Sequence, residues 1–178
     1  MLFELNKHVS NVTAREMAPQ PLEERQRDIY DSHRHRVFSV SYYMTGSELE
    51  AEKILRDSFI RAFQAAAEPD HGVIDTALVD RLKEEQVLQD GDALPPPEIA
   101  YLPQRHNILR TELEEAIRYL PSAERLVFLL MDVEGYPASR VAELLNMSPS
   151  SVLRVALTAR LRLRTELAAL RDSDQEAA

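Results

Sequence analysis

Ser148, Ser150, Ser151 and Arg154 crowd the start of a helical stretch in NMSPSSVLRVALTARLRLRTEL. Hydroxyls of this kind donate to phosphate oxygens, and a guanidinium reaches either a phosphate or a base edge. That is the chemistry of recognition rather than of bond making. The rest of the chain offers no second kind. There is no Cys, so thiolate metal sites, disulfides and a Cys nucleophile are excluded. His33 and His35 stand two apart and face opposite sides of a helix, while His8, His71 and His106 fall in or near expected loops, so no metal site is expected. No phosphate-binding Gly loop, dinucleotide fingerprint or nucleophile elbow occurs, and no pair of carboxylates has a catalytic spacing. Neither a catalytic residue nor a cofactor is expected, and the chain does not read as an enzyme.

The elements that must position this group follow from composition and period. Of 178 residues, 44% are hydrophobic and only four are Gly, and Leu, Ala, Glu and Arg dominate. Such a chain favours helix. No stretch shows the two-residue period of a strand, so the expected class is all-α. Residues 1–22, with Pro19 and Pro21, read as a loosely ordered arm. From Glu23 to Met44, Ile29, Tyr30, Val37, Phe38, Val40 and Tyr42 fall near helical spacing, and Gly46 supplies a left-handed cap. Ser47-Glu48-Leu49-Glu50 reads as a capping box for the next helix, whose stripe is Ala51, Ile54, Leu55, Ser58, Phe59, Ala62 and Phe63. Ile74, Leu78, Leu82 and Leu88 predict a third helix over about 74–89 with an acidic outer face.

Pro95, Pro96, Pro97 and Pro103 then interrupt any helix and stiffen the chain. They divide it into two small helical domains, residues 23–90 and 107–171, joined by a Pro-rich acidic linker over 91–106 and followed by an acidic tail, 172–178. In the second domain a short helix ends at Leu120-Pro121, and a mostly buried one runs from Glu124 to Val133. Helices over about 138–145 and 149–170 come last. Asn146 tolerates the left-handed conformation, Met147 is expected to plug the turn, Ser148 caps the final helix, and Pro149 takes its first position. With Val152, Ala156 and Leu157 expected to face the core, this is the pattern of a helix-turn-helix. A plain helical hairpin with solvated arginines would satisfy it too.

Charge is distributed unevenly. The net charge of −9 argues against a general nucleic-acid binder. Yet residues 149–171 hold Arg154, Arg160, Arg162, Arg164 and Arg171 against Glu166 alone. Residues 68–104 hold nine acids against Arg81 and Lys83, so that stretch is expected to avoid DNA and to cover the basic helix in the free protein. No apolar run approaches the ~20 residues of a membrane span. MLFELNKHVS lacks a basic stretch before an apolar core, so a cytoplasmic protein without membrane contact is expected.

LPSAERLVFLLMDVEGYPASRVAELLNMSPSSVLRVALTARLRLRTEL resembles the C-terminal domain of bacterial extracytoplasmic-function sigma factors, and DIYDSHRHRVFSVSYYMTGSELEAEKILRDSFIRAF resembles their N-terminal domain. The resemblance implies a transcription initiation factor that binds core RNA polymerase and promoter DNA, with an anti-sigma factor as a further partner. It implies that residues 50–63 dock on the β′ clamp helices, with Glu52, Arg56, Asp57, Ile60 and Arg61 as the contacts, and that Ser150, Ser151, Arg154 and Arg160 meet the minus-thirty-five element. Glu52 and Asp57, five apart, are expected to be exposed and to present acidity together. Leu153 and Val155 stand where the family commonly has basic residues, and residues 68–100 lack Phe, Tyr and Trp. These features favour an alternative: a degenerate sigma-like module that binds polymerase or an anti-sigma partner without recognising a promoter.

Overall fold

The computed structural model describes residues 20–85, 87 and 110–176, with side chains through residue 170. Most of the expected arm and all of the expected linker therefore lie outside the described residues. The described residues form α1 (Leu22–Thr45), α2 (Glu48–Ala65), α3 (His71–Glu84), α4 (Arg110–Tyr119), α5 (Ser122–Phe128), a π-helical turn (Leu129–Val133), α6 (Ala138–Leu145) and α7 (Pro149–Glu176). None of them is in a strand. The final helix runs further than the expected residue 170, into the acidic tail.

Local chemistry accounts for most boundaries. Gly46 adopts φ 72° and its N–H closes α1 on the Tyr42 carbonyl. The Ser47 hydroxyl accepts from the Glu50 N–H. The return half of the expected box is not made: the Ser47 N–H donates to Thr45 Oγ1, and the Glu50 carboxylate lies 3.7 Å from Lys53 Nζ. The third helix starts earlier than expected because Asp70, held extended, accepts from the Val73 N–H and caps it. It ends at Glu84, before Leu88.

α1 packs on α2 and α2 on α3, while α4, α5 and α6 pack on α7. These two groups share one apolar core. Val37, Val40, Ile54, Ile74, Leu78 and Leu82 belong to the same buried cluster as Leu126, Leu130, Val141 and Val152. A smaller cluster of Ala116, Ile117, Leu120, Leu163 and Leu167 ties α4 to α7, with Tyr43 of α1 against it.

Polar contacts cross the same boundary. The Arg125 guanidinium donates to the Tyr43, Met44 and Leu120 carbonyls at 3.3, 3.1 and 2.8 Å, and also to that of Arg118. It thus satisfies the open carbonyls at the ends of α1 and α4. Burial, then the nearby Arg118, lowers the Arg125 pKa. The Arg140 side chain of α6 lies over Gly72 of α3, where a Cβ would stand 2.8 Å from its Nη2.

Asp75 is the centre of this contact. Its side chain is only 3% exposed. Arg36 of α1 bonds its Oδ1, the Tyr136 hydroxyl donates to its Oδ2 at 2.9 Å, and Arg36 also donates to the Tyr136 oxygen at 2.7 Å. Arg140 Nη2 lies 3.9 Å away. Burial pushes the Tyr136 hydroxyl up to about 12, against the pull of Arg36 and with help from Asp75. The sequence placed Asp75 on a solvated acidic face. The structure buries it because charged partners from α1 and α6 converge on it, which is what a buried carboxylate requires.

Candidate functional site

The turn between α6 and α7 is built from two backbone devices and one side-chain cap. Asn146 takes φ 54° and ψ 47°, the left-handed conformation expected of it. The Met147 N–H returns to the Ala142 carbonyl at 2.9 Å. The Ser148 hydroxyl accepts from the Ser151 N–H at 3.1 Å and so caps α7. Met147 closes the turn through its backbone rather than by plugging it, for the residue is 36% exposed.

Beyond the cap, Val152, Ala156, Ala159, Leu163 and Leu167 are buried. Leu157, expected in the core, is 56% exposed, and Leu153 is 54% exposed. The helical period explains the difference. Steps of four, three, four and four from Val152 keep one face, whereas Leu157 lies five residues on, about 140° around the axis.

The leading edge of α7 is accessible. Ser150 and Arg154 are exposed and Ser151 is half-buried. Ser148 Oγ lies 3.0 Å from Ser150 Oγ and donates to Ser151 Oγ at 2.8 Å, while Arg154 Nη2 is 3.5 Å from Ser151 Oγ. The hydroxyls and one guanidinium therefore form a compact donor group at a helix N-terminus. Arg160 is elsewhere engaged. Its Nε lies 3.0 Å from Asp132 Oδ1 and its Nη2 2.9 Å from the same oxygen. Arg162 bonds Glu124 through Nε at 2.9 Å and Nη2 at 3.3 Å, with both side chains 12% exposed. The basic count of α7 thus overstates the charge it offers outward.

The described part of the acidic stretch does not cover α7. Asp75 meets Arg36 and Arg140, Glu84 meets Arg61 and Arg81, and Glu85 meets Lys53 and Arg81. These partners lie on α1, α2, α3 and α6. Residues 88–104 lie outside the described residues.

The outer face of α2 is the second candidate surface. Tyr30, Leu55, Phe59, Ile60 and Phe63 line a groove of about 690 Å³ edged by Glu52 and Arg56. Tyr30 and Phe59 meet edge-on with ring centroids 4.8 Å apart. Ile60 is 50% exposed, and Glu52 and Arg56 are exposed. Asp57 is not free beside Glu52. Its Oδ2 takes Arg81 Nη2 at 3.1 Å, and Arg56 Nε reaches its Oδ1 at 3.2 Å. Five residues on a helix turn about 140°, so the two carboxylates diverge. Arg61 makes a fork onto Glu84, both bonds 2.8 Å. That bonding raises Arg61 and lowers Glu84 from their usual pKa values.

Two engaged residues were missed at the sequence level, Asp132 and Asp75. Their partners stand 28 and 39 positions away, beyond any local signal. Asp70 was missed as well, although an Asp just before an apolar-periodic run is a local signal of a helix start. Among the described residues, no group of three or more His, Asp or Glu could hold a metal ion, and no helix is long and apolar enough to cross a membrane.

Residues 110–155 match the family described as sigma-70, region 4. The chain is 25% identical over 159 residues to the ECF RNA polymerase sigma factor SigE of Mycolicibacterium smegmatis, covering 79% of this chain and 61% of that protein's length. Its fold resembles the sigma factor RpoE crystallised with the anti-sigma factor NepR from Bartonella quintana, with TM-score 0.58 and 16% identity, covering 82% of this chain and 96% of that one.

Proposed function

We propose that this chain is an extracytoplasmic-function sigma factor, which binds core RNA polymerase in the cytoplasm and directs transcription initiation at promoter DNA. It would act as an initiation factor rather than as an enzyme. The observation that carries the reading is the capped turn into α7, with Ser150, Ser151 and Arg154 on one accessible edge. In a helix-turn-helix that edge meets the major groove, and a guanidinium on a base edge supplies discrimination while hydroxyls anchor phosphates. Arg160 is assigned to the phosphate backbone, in competition with Asp132 for the same donors. On α2, Glu52, Arg56 and Ile60 form the surface offered to the β′ clamp helices. Asp57 and Arg61 flank that surface, engaged with Arg81 and Glu84.

A second reading has its own observation. Leu153 and Leu157 are exposed beside Arg154, and apolar side chains neutralise no phosphate. A module that binds polymerase or an anti-sigma partner without reading a promoter would use α7 as a protein contact. The test is size-exclusion of the full chain with core polymerase, followed by retention of promoter and scrambled duplexes by the complex. Co-elution with selective retention of the promoter duplex is expected. Co-elution without selectivity supports the interaction module, and no co-elution overturns the polymerase assignment.

A further inference from the structure

We propose that Asp132 is a positioning residue that restrains DNA binding by holding Arg160; the inference rests on the reading of α7 as a DNA reader and concerns the regulation of that same helix. Leu153, Leu157, Arg160 and Arg164 succeed one another at steps of four, three and four, so they form a single stripe beside the Ser150–Arg154 edge. All four are exposed. Its first half is apolar, so any attraction along it toward a phosphate backbone comes from its two arginines. One of them already has an anion. Arg160 presents Nε and Nη2 to Asp132 at 3.0 and 2.9 Å. Those two donors are the side of the guanidinium that forks onto carboxylate or phosphate.

The fold delivers Asp132 to this place. It lies in the π turn, closed by the Glu134 N–H on the Leu129 carbonyl at 2.9 Å, five residues back. A π turn admits an extra residue into the helical register and rotates the residues beyond it about the helix axis. The pair lies at the surface, with side-chain exposures of 49% for Arg160 and 26% for Asp132. A phosphate can therefore compete for the same donors, and Asp132 adds a like charge that opposes its approach. The contrast with Arg162 is direct. That residue and Glu124 are equally forked but buried, and so act in packing alone.

Asp132→Asn retains the shape and one acceptor but removes the charge. Since exposed pairs are weak and each phosphate contact adds about 0.9 to the salt slope, the full-length variant should bind duplex DNA roughly two- to fivefold tighter at low salt. The plot of log K against log salt should steepen by up to about 0.9, according to how far Asp132 keeps Arg160 off the phosphate in the wild-type complex. Sequence preference should stay the same, because phosphate contacts carry none. In an Arg160→Ala background the gain should vanish. The experiment is fluorescence anisotropy of promoter and scrambled duplexes with the wild type, Asp132→Asn, Arg160→Ala and the double variant across a salt series, with a thermal melt of each. Wild-type binding that Asp132→Asn leaves unchanged or weakens, at unchanged slope, overturns the restraint while leaving the DNA reading intact. A gain that persists without Arg160 also overturns it. If neither wild type nor Asp132→Asn binds any duplex at the lowest salt, the DNA reading itself falls and takes the restraint with it.

Discussion

Replacing Asp75 by Ala removes the acceptor on which Arg36 and Tyr136 converge. Arg36 is 14% exposed, its Nη2 already has no hydrogen-bond partner, and its Nη1 would keep only the Tyr136 oxygen. Breaking a buried ion pair from one side costs about 3–5 kcal/mol, because the remaining charge stays desolvated. The site's small residual exposure puts the expected loss near the lower end, about 3 kcal/mol. That is a large share of the ~5–15 kcal/mol that holds a typical domain together. Tyr136→Phe removes both its bond to the Asp75 carboxylate and the acceptor it offers Arg36 Nη1, and should cost about 1.5–3 kcal/mol. In the Asp75→Ala background the cost of Tyr136→Phe should differ from its cost alone, since the bond to Asp75 is already lost while the Tyr136 oxygen is the acceptor left to Arg36 Nη1. Urea denaturation monitored by far-ultraviolet circular dichroism measures all three variants. A loss below about 1 kcal/mol for Asp75→Ala, or strict additivity in the double variant, would refute the account of a charged joint between the two helical groups.

Three further outcomes are expected. Glu52→Lys should weaken co-elution with core polymerase at unchanged thermal stability, whereas Asp57→Lys should also lower stability, because it sets a cation against Arg81; equal stability of the two variants would contradict the assignment of Asp57. Arg154→Ala should reduce the preference for promoter over scrambled duplex by about 1–3 kcal/mol, read by competition anisotropy, and a uniform loss across sequences would make Arg154 a phosphate contact only. His33 packs edge-on against His71 at 4.3 Å, and burial, then His71 and Arg36, lower its pKa from 6.5 against the pull of Asp75. Above 6.5 it is neutral folded and unfolded and contributes nothing; below 6.5 the unfolded chain takes the proton first, so stability falls until the folded pKa is passed. His33→Gln should flatten stability over that window, while the losses from Glu84, Glu85 and Glu114, all lowered from 4.5, begin only at more acidic pH.

How much was legible depends on the range of each interaction. Gly46, Ser47, Asn146 and Ser148 declare themselves within a few residues, because backbone sterics and capping are local. The α2 stripe is equally plain, since Ala51, Ile54, Ser58, Phe59 and Ala62 repeat at helical steps and all are buried. Asp75 reads as a surface acid until Arg36 is brought to it. Arg160 reads as a free DNA contact until the π turn places Asp132 against it. Leu157 was misassigned by a single step of the helical wheel. The continuity of the core across α1–α3 and α5–α7 has no local signature, for it depends on how the packed helices meet. The candidate surfaces were thus visible by residue type, while their working charge was not.

Run-off transcription by core polymerase reconstituted with the full-length chain tests the central claim most directly. Template fragments are first selected by their retention on the chain–polymerase complex. The account predicts that the chain co-elutes with core enzyme and that transcripts start at a fixed position on selected templates. Omitting the chain, or introducing Arg154→Ala, should diminish them. Stable association with core enzyme but no defined transcript from any retained template would contradict promoter-directed initiation.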